Sequence, residues 1–181
     1  VESGYVVTEN NSVLIGRDPG TVIRKNGLFI PGFSATDTVT GELILSTQLP
    51  ETAATPVKGN ILTMPFPPDL PGNAHDAYTT LRSQCLDASD LGAVGVVYIA
   101  QGKLPDLSSK QRLPLPLPVV VVHDGSASEM LHSENGGSIF DMISSFNHVA
   151  VSTGLYATIM TEVIPEELTT YNTVTELKGG N

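Results

Sequence analysis

The sequence predicts an α+β domain rich in strands: a β-sandwich or partly open β-barrel with two flanking helices. About eight to ten short segments have the apolar pattern of strands, and two segments are predicted as helices, one from its periodicity and one, shorter, from its capping residues. Strands precede, separate and follow the helices. With 181 residues, 40% of them hydrophobic, the chain can bury one substantial core.

The first third of the chain is predicted as strands joined by turns. Asn-Gly turns tolerate the positive φ angles of a tight hairpin, so Asn26-Gly27 between Thr21–Lys25 and Leu28–Ile30 predicts a β-hairpin. Further strands are predicted at Tyr5–Val7, Val13–Ile15, Glu42–Ser46 and Val57–Met64.

The first helix is predicted from its ends and from its apolar face. Asn73 suits the N-cap, with Asp76 three residues later, and Gly92 suits the position after the last turn. Between them, apolar residues recur at helical spacing. These are Ala74, Ala77, Tyr78, Leu81, Cys85, Ala88 and Leu91.

Two buried strands are predicted after this helix. Ala93–Ala100 is a continuous apolar run, typical of a strand covered on both faces. In Leu113–Pro118 every second residue is a proline without an N–H donor, which predicts an extended lead-in. Val119–Val122 is then the second buried strand, and the Ser126 and Glu129 capping box predicts a short second helix.

The C-terminal third returns to strand. His148–Ser152 and Leu155–Ile159 carry β-branched residues and predict two strands, and Glu162–Thr170 is predicted as a linker. Tyr171–Leu177 alternates cleanly. An unpaired strand exposes backbone N–H and C=O groups that can bond to another strand, so we expect this segment to pair with a neighbouring chain or to fray.

Charge and composition exclude several classes of function. The chain has 19 acidic and 9 basic residues and a net charge of −10, so phosphate backbones are repelled and nucleic acid is not an expected partner. No apolar stretch approaches the roughly 18 to 20 residues of a membrane span. The sequence begins at Val1, not methionine, so we expect a processed product or a fragment.

Cys85 is the one cysteine, which excludes an internal disulfide, and its place on the apolar helix face predicts a buried structural thiol.

Candidates for catalysis are few. The four histidines are far apart, and none forms a pair that would place two imidazoles on one helical face, so no metal site is expected. They are His75, His123, His132 and His148. His123-Asp124 at the end of a buried strand is the sharpest catalytic candidate. The start of a helix explains it better, since Asp124 and Ser126 stand where a helix start needs acceptors, and no catalytic residue is predicted.

One loop is a candidate for recognition. It places apolar side chains and prolines between a strand and the first helix, which suits a docking or gating loop. Its residues are Phe66, Pro67, Pro68, Leu70 and Pro71. Simple capping of the sheet edge is the alternative interpretation.

Three segments together resemble a protease-associated (PA) domain. They are Val57-Lys-Gly-Asn-Ile-Leu62, the helix end and strand from Leu86 to Ile99, and Leu115-Pro-Leu-Pro-Val-Val-Val-Val-His123 before a short helix. The resemblance covers roughly residues 40 to 160 and implies a swivelling β/β/α fold. The family's frequent Asp-Arg-Gly and Cys-x-Phe after the first core strand are replaced here by Met64-Pro-Phe-Pro-Pro68.

The end of the chain resembles a second pattern. Tyr171-Asn-Thr-Val-Thr-Glu-Leu-Lys-Gly-Gly-Asn181 is similar to the Asn-x-Val-x-x-Leu-x-Gly segment of zinc-dependent aminopeptidases and glutamate-carboxypeptidase-like enzymes. In those enzymes the chain re-enters the catalytic domain there, and the first zinc-ligating His-x-Asp follows. The resemblance implies a PA-like domain at residues 1–165, then a linker and the first strand of a catalytic domain at 166–181. It provides no catalytic or metal residue to carry over.

The resemblance implies a non-catalytic domain that covers the active-site cleft of an exported zinc exopeptidase and modulates substrate access. The expected cofactor is zinc in the parent, and none in this chain. Expected partners are the parent catalytic domain, its peptide substrate and a second copy in a homodimer, outside the cell or in the periplasm. One alternative is the PA domain of a subtilisin-like protease or sorting receptor, which would bind peptide or cargo. Another is a self-sufficient enzyme using His123 and Asp124.

Overall fold

The computed structural model describes residues 2–7, 9–16, 21–23, 28–51, 56–104, 114–130, 139–145 and 150–168. Over these residues the chain forms strands β1 (Glu2–Val7), β2 (Ser12–Gly16), β3 (Thr21–Ile23), β4 (Leu28–Phe29), β5 (Asp37–Leu45), β6 (Ile61–Pro65), β7 (Gly95–Ala100), β8 (Val119–His123), β9 (Val151–Thr161) and β10 (Val163–Leu168). The helices are α1 (Ala74–Asp90), α2 (Asp124–Met130) and α3 (Ile139–Ser144). The α+β class is confirmed, and α3 is a helix that the sequence did not predict.

Eight strands form one mixed sheet in the order β3-β2-β9-β5-β6-β7-β8-β4. The pairs β5–β6, β6–β7 and β7–β8 are parallel. The other pairs of this sheet are antiparallel. We call β5 to β8 with α1 the parallel half. The remaining strands, β1 and β10, pair antiparallel in a separate two-stranded ribbon.

Strands β6, β7 and β8 of the parallel half are buried on both faces. Along β7, Val96, Tyr98 and Ala100 join the cluster that α1 covers, whereas Val97 and Ile99 join the second cluster on the opposite face. The second cluster also holds residues from α2, α3, β2 and β9. Continuous apolar strands are the expected consequence of covering both faces, and the predicted runs in β7 and β8 are confirmed.

The predicted hairpin around Asn26-Gly27 is wrong. Strand β3 pairs with β2 and β4 pairs with β8, so the two segments lie at opposite edges of the eight-stranded sheet. The chain from Ile23 to Leu28 spans at most about 18 Å. A flat sheet of eight strands would separate these edges by about 33 Å. The sheet must therefore coil until its edges approach each other.

A close contact inside the sheet supports this coiling. A Cβ atom added to Gly95 on β7 would lie 3.1 Å from Cδ1 of Ile159 on β9 and 3.2 Å from Cγ2 of Val39 on β5. Strands β7 and β9 are separated by two strands in the sheet order, yet they meet across the second cluster. This curvature agrees with the partly open barrel among the predicted architectures.

Helix α1 has the predicted ends. Asn73 Oδ1 accepts a hydrogen bond from the Asp76 backbone N–H at 2.9 Å, as an N-cap does. After the helix, Gly92 adopts φ 87°, a conformation that glycine takes without strain. The helix buries Tyr78 and Leu81 against the sheet, and the Tyr78 ring packs edge-on against Phe33 at 5.0 Å.

The predicted extended lead-in to β8 is irregular in its described part, residues 114–118, which bends at Pro116 and Leu117. Leu115 and Leu117 are buried in the first cluster while Pro114 and Pro116 are exposed. The leucine between the two exposed prolines keeps its N–H, and Leu115 N–H donates to the carbonyl of Phe33 at 2.7 Å. Alternate prolines are tolerated because the residues between them provide the donors.

Several predicted boundaries change in the structure. Residues 57–60 form a turn in which Gly59 has φ 77°, so the predicted strand Val57–Met64 begins only at Ile61. The two strands predicted at 148–152 and 155–159 are one strand, β9, in its described part. The predicted linker 162–170 contains β10, because Val163 is buried and its strand finds a partner in β1. Residues 171–181 lie outside the described residues.

Candidate functional site

The loop predicted to dock a partner lies between β6 and α1, and its aromatic side chain points inward. Phe66 is 8% exposed, packs edge-on against the Tyr98 ring at 5.9 Å, and donates its backbone N–H to the carbonyl of Ile99. Leu70 is half-buried against the first cluster. The burial of these two side chains gives them a role in the core.

The remaining residues of this loop form its outer surface. Pro68 is exposed, and Pro67 and Pro71 are half-buried. The surface that the loop offers a partner is therefore small and stiff. Its docking or gating role stays a prediction.

The second sequence candidate, His123-Asp124, lies where β8 ends and α2 begins. The helix starts at Asp124, so Ser126 lies inside the first turn, and the predicted N-cap role of Ser126 is wrong. The residue before the helix is His123, whose Nδ1 accepts the Gly125 N–H at 3.4 Å and so occupies the capping position. The side chain of Glu129 and the residues His132 and His148 lie outside the described part of the chain.

Polar side chains lie near His123 at the end of β8. Strand β7 ends beside it, and the Gln101 side chain donates to Asp141 Oδ1 of α3 at 3.4 Å. Among the described residues no three His, Cys, Asp or Glu side chains come together in a way that could hold a metal ion.

The buried thiol of Cys85 faces the core, as predicted. Its Sγ lies 3.7 Å from the Tyr98 hydroxyl, which donates to Gln84 Oε1 at 3.3 Å. Burial raises the pKa of the Cys85 thiol to about 12, with a smaller opposing effect from the Tyr98 hydrogen bond. A thiol in this state is a poor nucleophile at neutral pH.

An open groove lies at the end of β9, just before the chain enters the ribbon, and sequence reasoning did not identify it. Its volume is about 480 Å³. It is lined by Asn10, Thr36, Asp37, Thr38, Met160, Thr161 and Glu162. The start of β5 and the end of β9 lie side by side at its base, because Asp37 pairs with Thr161 and Thr38 with Met160.

Hydrogen bonds fix the walls of this groove. Thr36 Oγ1 donates to the Val163 carbonyl at 2.8 Å and accepts the Val163 N–H at 2.9 Å. Glu162 Oε2 accepts from Asn10 Nδ2 at 2.9 Å, and the Glu162 N–H donates to Asn11 Oδ1 at 2.7 Å. These bonds tie the residue before β5 to the first residue of β10, and the residues before β2 to the connection between β9 and β10.

The carboxylate of Glu42, on β5, binds residues 152–154 of β9, where the strand pairing is irregular. It accepts hydrogen bonds from the Ser152 hydroxyl and, at 2.8 Å, from the Gly154 N–H. The pairing of β5 with β9 shifts register here, between Glu42 and Ile44. The Ser152 hydrogen bond, followed by that from Gly154, holds the pKa of Glu42 below its ordinary value of 4.5.

Within the described residues, no helix is both long and apolar enough to cross a membrane.

Comparison with known proteins gives no family assignment from sequence. No family model matches the chain, and no curated protein matches it. An aminopeptidase from Aneurinibacillus sp. strain AM-1 is similar in structure over 90% of this chain, with 17% identity and a TM-score of 0.47. BSAP, a zinc aminopeptidase from Bacillus subtilis, is similar over 91%, with 15% identity and a TM-score of 0.41. The chain spans about a third of each, 34% in both cases.

Proposed function

We propose that this chain is a non-catalytic, PA-like domain inserted into a zinc-dependent exopeptidase of the aminopeptidase type, where it covers part of the active-site cleft and modulates substrate access. The observation that carries the proposal is the ribbon. Strands β1 and β10 pair antiparallel from Glu2 with Leu168 to Val7 with Val163. Both ends of the domain thus run side by side, as an insertion into a host domain requires.

The residues that carry the sequence resemblance support the proposal by where they lie. The segment Val57–Leu62 leads into β6, and Leu86–Ile99 contains the end of α1 and all but the last residue of β7. The segment Leu115–His123 contains the lead-in and β8. These three strands are consecutive neighbours in the parallel half. The motifs are therefore one structural unit, and a PA-type fold is the arrangement that we assign to it.

Zinc belongs to the parent in this proposal. The described residues bring together no three candidate ligands, so the donor set of this part of the chain does not fit a zinc site. The metal would be held by the catalytic domain that the end of the sequence resembles. The domain's contribution is steric: a rigid core, buried on both faces of its parallel strands, which holds its loops in fixed positions.

The remaining parts of the proposal concern organisation and partners. We assign residues 1–165 to the PA-like domain and 166–181 to the connection with the catalytic domain. The proposed partners are the parent catalytic domain, its peptide substrate and a second copy in a homodimer. An extracellular or periplasmic location fits an exported exopeptidase.

Two measurements test the proposal. The isolated chain, supplied with zinc and leucine p-nitroanilide, is expected to release no p-nitroaniline. Release that a chelator abolishes would overturn the non-catalytic assignment. In the full-length parent, replacing the domain by a short Gly-Ser linker should retain hydrolysis of this small substrate and change the relative rate on longer peptides. An unchanged preference between short and long substrates would overturn the access role.

A further inference from the structure

We infer that the groove at the end of β9 binds a lysine or arginine side chain presented by an extended segment of a partner protein. The inference rests on the charge, the apolar floor and the rigidity of the groove. It does not depend on which host the domain belongs to.

The charge of the groove favours a cation. Its lining residues include the acidic Asp37 and Glu162 and, within the described part of the chain, no basic residue. The whole chain carries a net charge of −10, which attracts a cationic segment at long range. The same charge opposes a second copy of this chain as the occupant of the groove.

The floor of the groove suits the stem of a long basic side chain. Met160 is 39% exposed, although an outward-facing position in an antiparallel sheet is usually polar. Lysine and arginine pack their methylene groups on apolar surface while the charged end reaches polar atoms. Among the lining residues, Thr38 pairs directly with Met160, and Glu162 follows two residues later in the chain.

Apolar surface continues beyond the groove along the ribbon. Val6 and Ile164 face each other in the β1–β10 pairing and are 45% and 47% exposed. Ile164 lies two residues from Glu162 on the same extended segment. A residue adjacent to the bound basic side chain therefore has an apolar contact available, which favours an extended peptide over a free amine.

The groove is already formed before a ligand arrives. Thr36 is bonded to Val163 through both its donor and its acceptor, and Thr161 Oγ1 donates to the Ala35 carbonyl at 2.6 Å. Asp37 Oδ1 accepts the Thr38 N–H at 2.7 Å, which orients the carboxylate. Little ordering of the walls is required on binding, which lowers the entropic cost of association.

The test uses the whole chain and two blocked pentapeptides, Ala-Ala-Arg-Ala-Ala and the same peptide with citrulline in place of arginine. Citrulline keeps the shape of the side chain and removes its charge. Binding is followed by the chemical shift of the Met160 methyl group in protein labelled at its methionine methyls. The arginine peptide should shift this signal saturably, and more weakly as salt is raised.

Single substitutions test which acidic residues contribute to binding of the arginine peptide. Asp37→Asn and Glu162→Gln are each expected to weaken binding of the arginine peptide by about two- to fivefold, the scale of an exposed ion pair. Asp69→Asn, which removes the same charge from an exposed position in the loop before α1, is the matched control and should leave binding unchanged.

Three outcomes would overturn the inference: equal binding of the citrulline peptide, an equal loss in Asp69→Asn, or no shift at Met160. None of these measurements involves peptidase activity. Their failure would leave the inserted-domain proposal to be decided by its own test.

Discussion

The parallel and antiparallel parts of the large sheet share one coiled core but meet the solvent differently. Strands β6, β7 and β8 of the parallel half are covered on both faces, and every described residue of β7 is buried. Strand β9 is buried on one face only: Ala157 and Ile159 point inward while Tyr156 and Met160 are exposed. Strands β6 to β8 are thus closed to solvent on both sides, whereas β9 keeps one face exposed.

The largest expected difference between these regions is in stability. Leu81 of α1 is fully buried against the parallel half, so Leu81→Ala should lower the free energy of unfolding by about 2–5 kcal/mol. The control, Met160→Ala, changes an exposed position and should stay within about 0.5 kcal/mol. Urea denaturation of both variants measures the effect. Equal losses would show that the outer face of β9 is as closely packed as the core.

The contact that joins the two regions can be tested by overpacking. Gly95→Ala introduces a methyl group 3.1 Å from Ile159 Cδ1, so we expect a loss of about 1–3 kcal/mol. Gly72→Ala is the control, because nothing lies within 4 Å of its added Cβ. Both variants are compared by urea denaturation.

A shorter side chain at position 159 tests whether contact with Ile159 causes the loss in Gly95→Ala. Ile159→Val removes the Cδ1 atom that the new methyl group meets. The double variant should therefore lose less than the sum of the two single losses. Strict additivity would argue that β7 and β9 do not meet across the core, and the coiling of the sheet would be less than described.

The smallest effect is expected in the hydrogen bonds that fasten the bulge of β9. The folded-state pKa of Glu42 is depressed below 4.5, so its contribution to stability is present above the unfolded-state pKa and is lost as the pH falls through the folded-state pKa. Glu42→Gln should therefore lower the denaturation midpoint at pH 7, and the difference from wild type should shrink toward pH 3. A difference that stays constant with pH would show that the charge of Glu42 does not contribute.

The parallel half could be predicted closely because its signals are local. The N-cap of Asn73, the periodicity through Leu81 and the stop at Gly92 all lie within one helix and its flanks. The buried strands were recognisable as apolar runs bounded by loops. None of these features depends on which distant segment becomes a neighbour.

The antiparallel strands were predicted less well because their structure depends on distant partners. Asn26-Gly27 is a strong local hairpin signal, yet the flanking strands find partners in β2 and β8 at opposite edges of the sheet. Residues 163–168 lack a strong strand pattern and become a strand because β1 lies beside them. The groove combines Asp37 with Glu162, 125 positions apart, and no sequence spacing indicates that pair.

The sequence by itself determined the α+β class, helix α1 with its cap, the two buried parallel strands and the buried state of Cys85. Propensity, capping and burial of apolar runs act over one element at a time, so they can be read without knowing the fold. Only the tertiary structure decided the coiling of the sheet, the ribbon that joins the two ends of the domain, the inward turn of Phe66 and the groove. These depend on pairing between segments far apart in sequence, where the register of one strand is set by the surface of another.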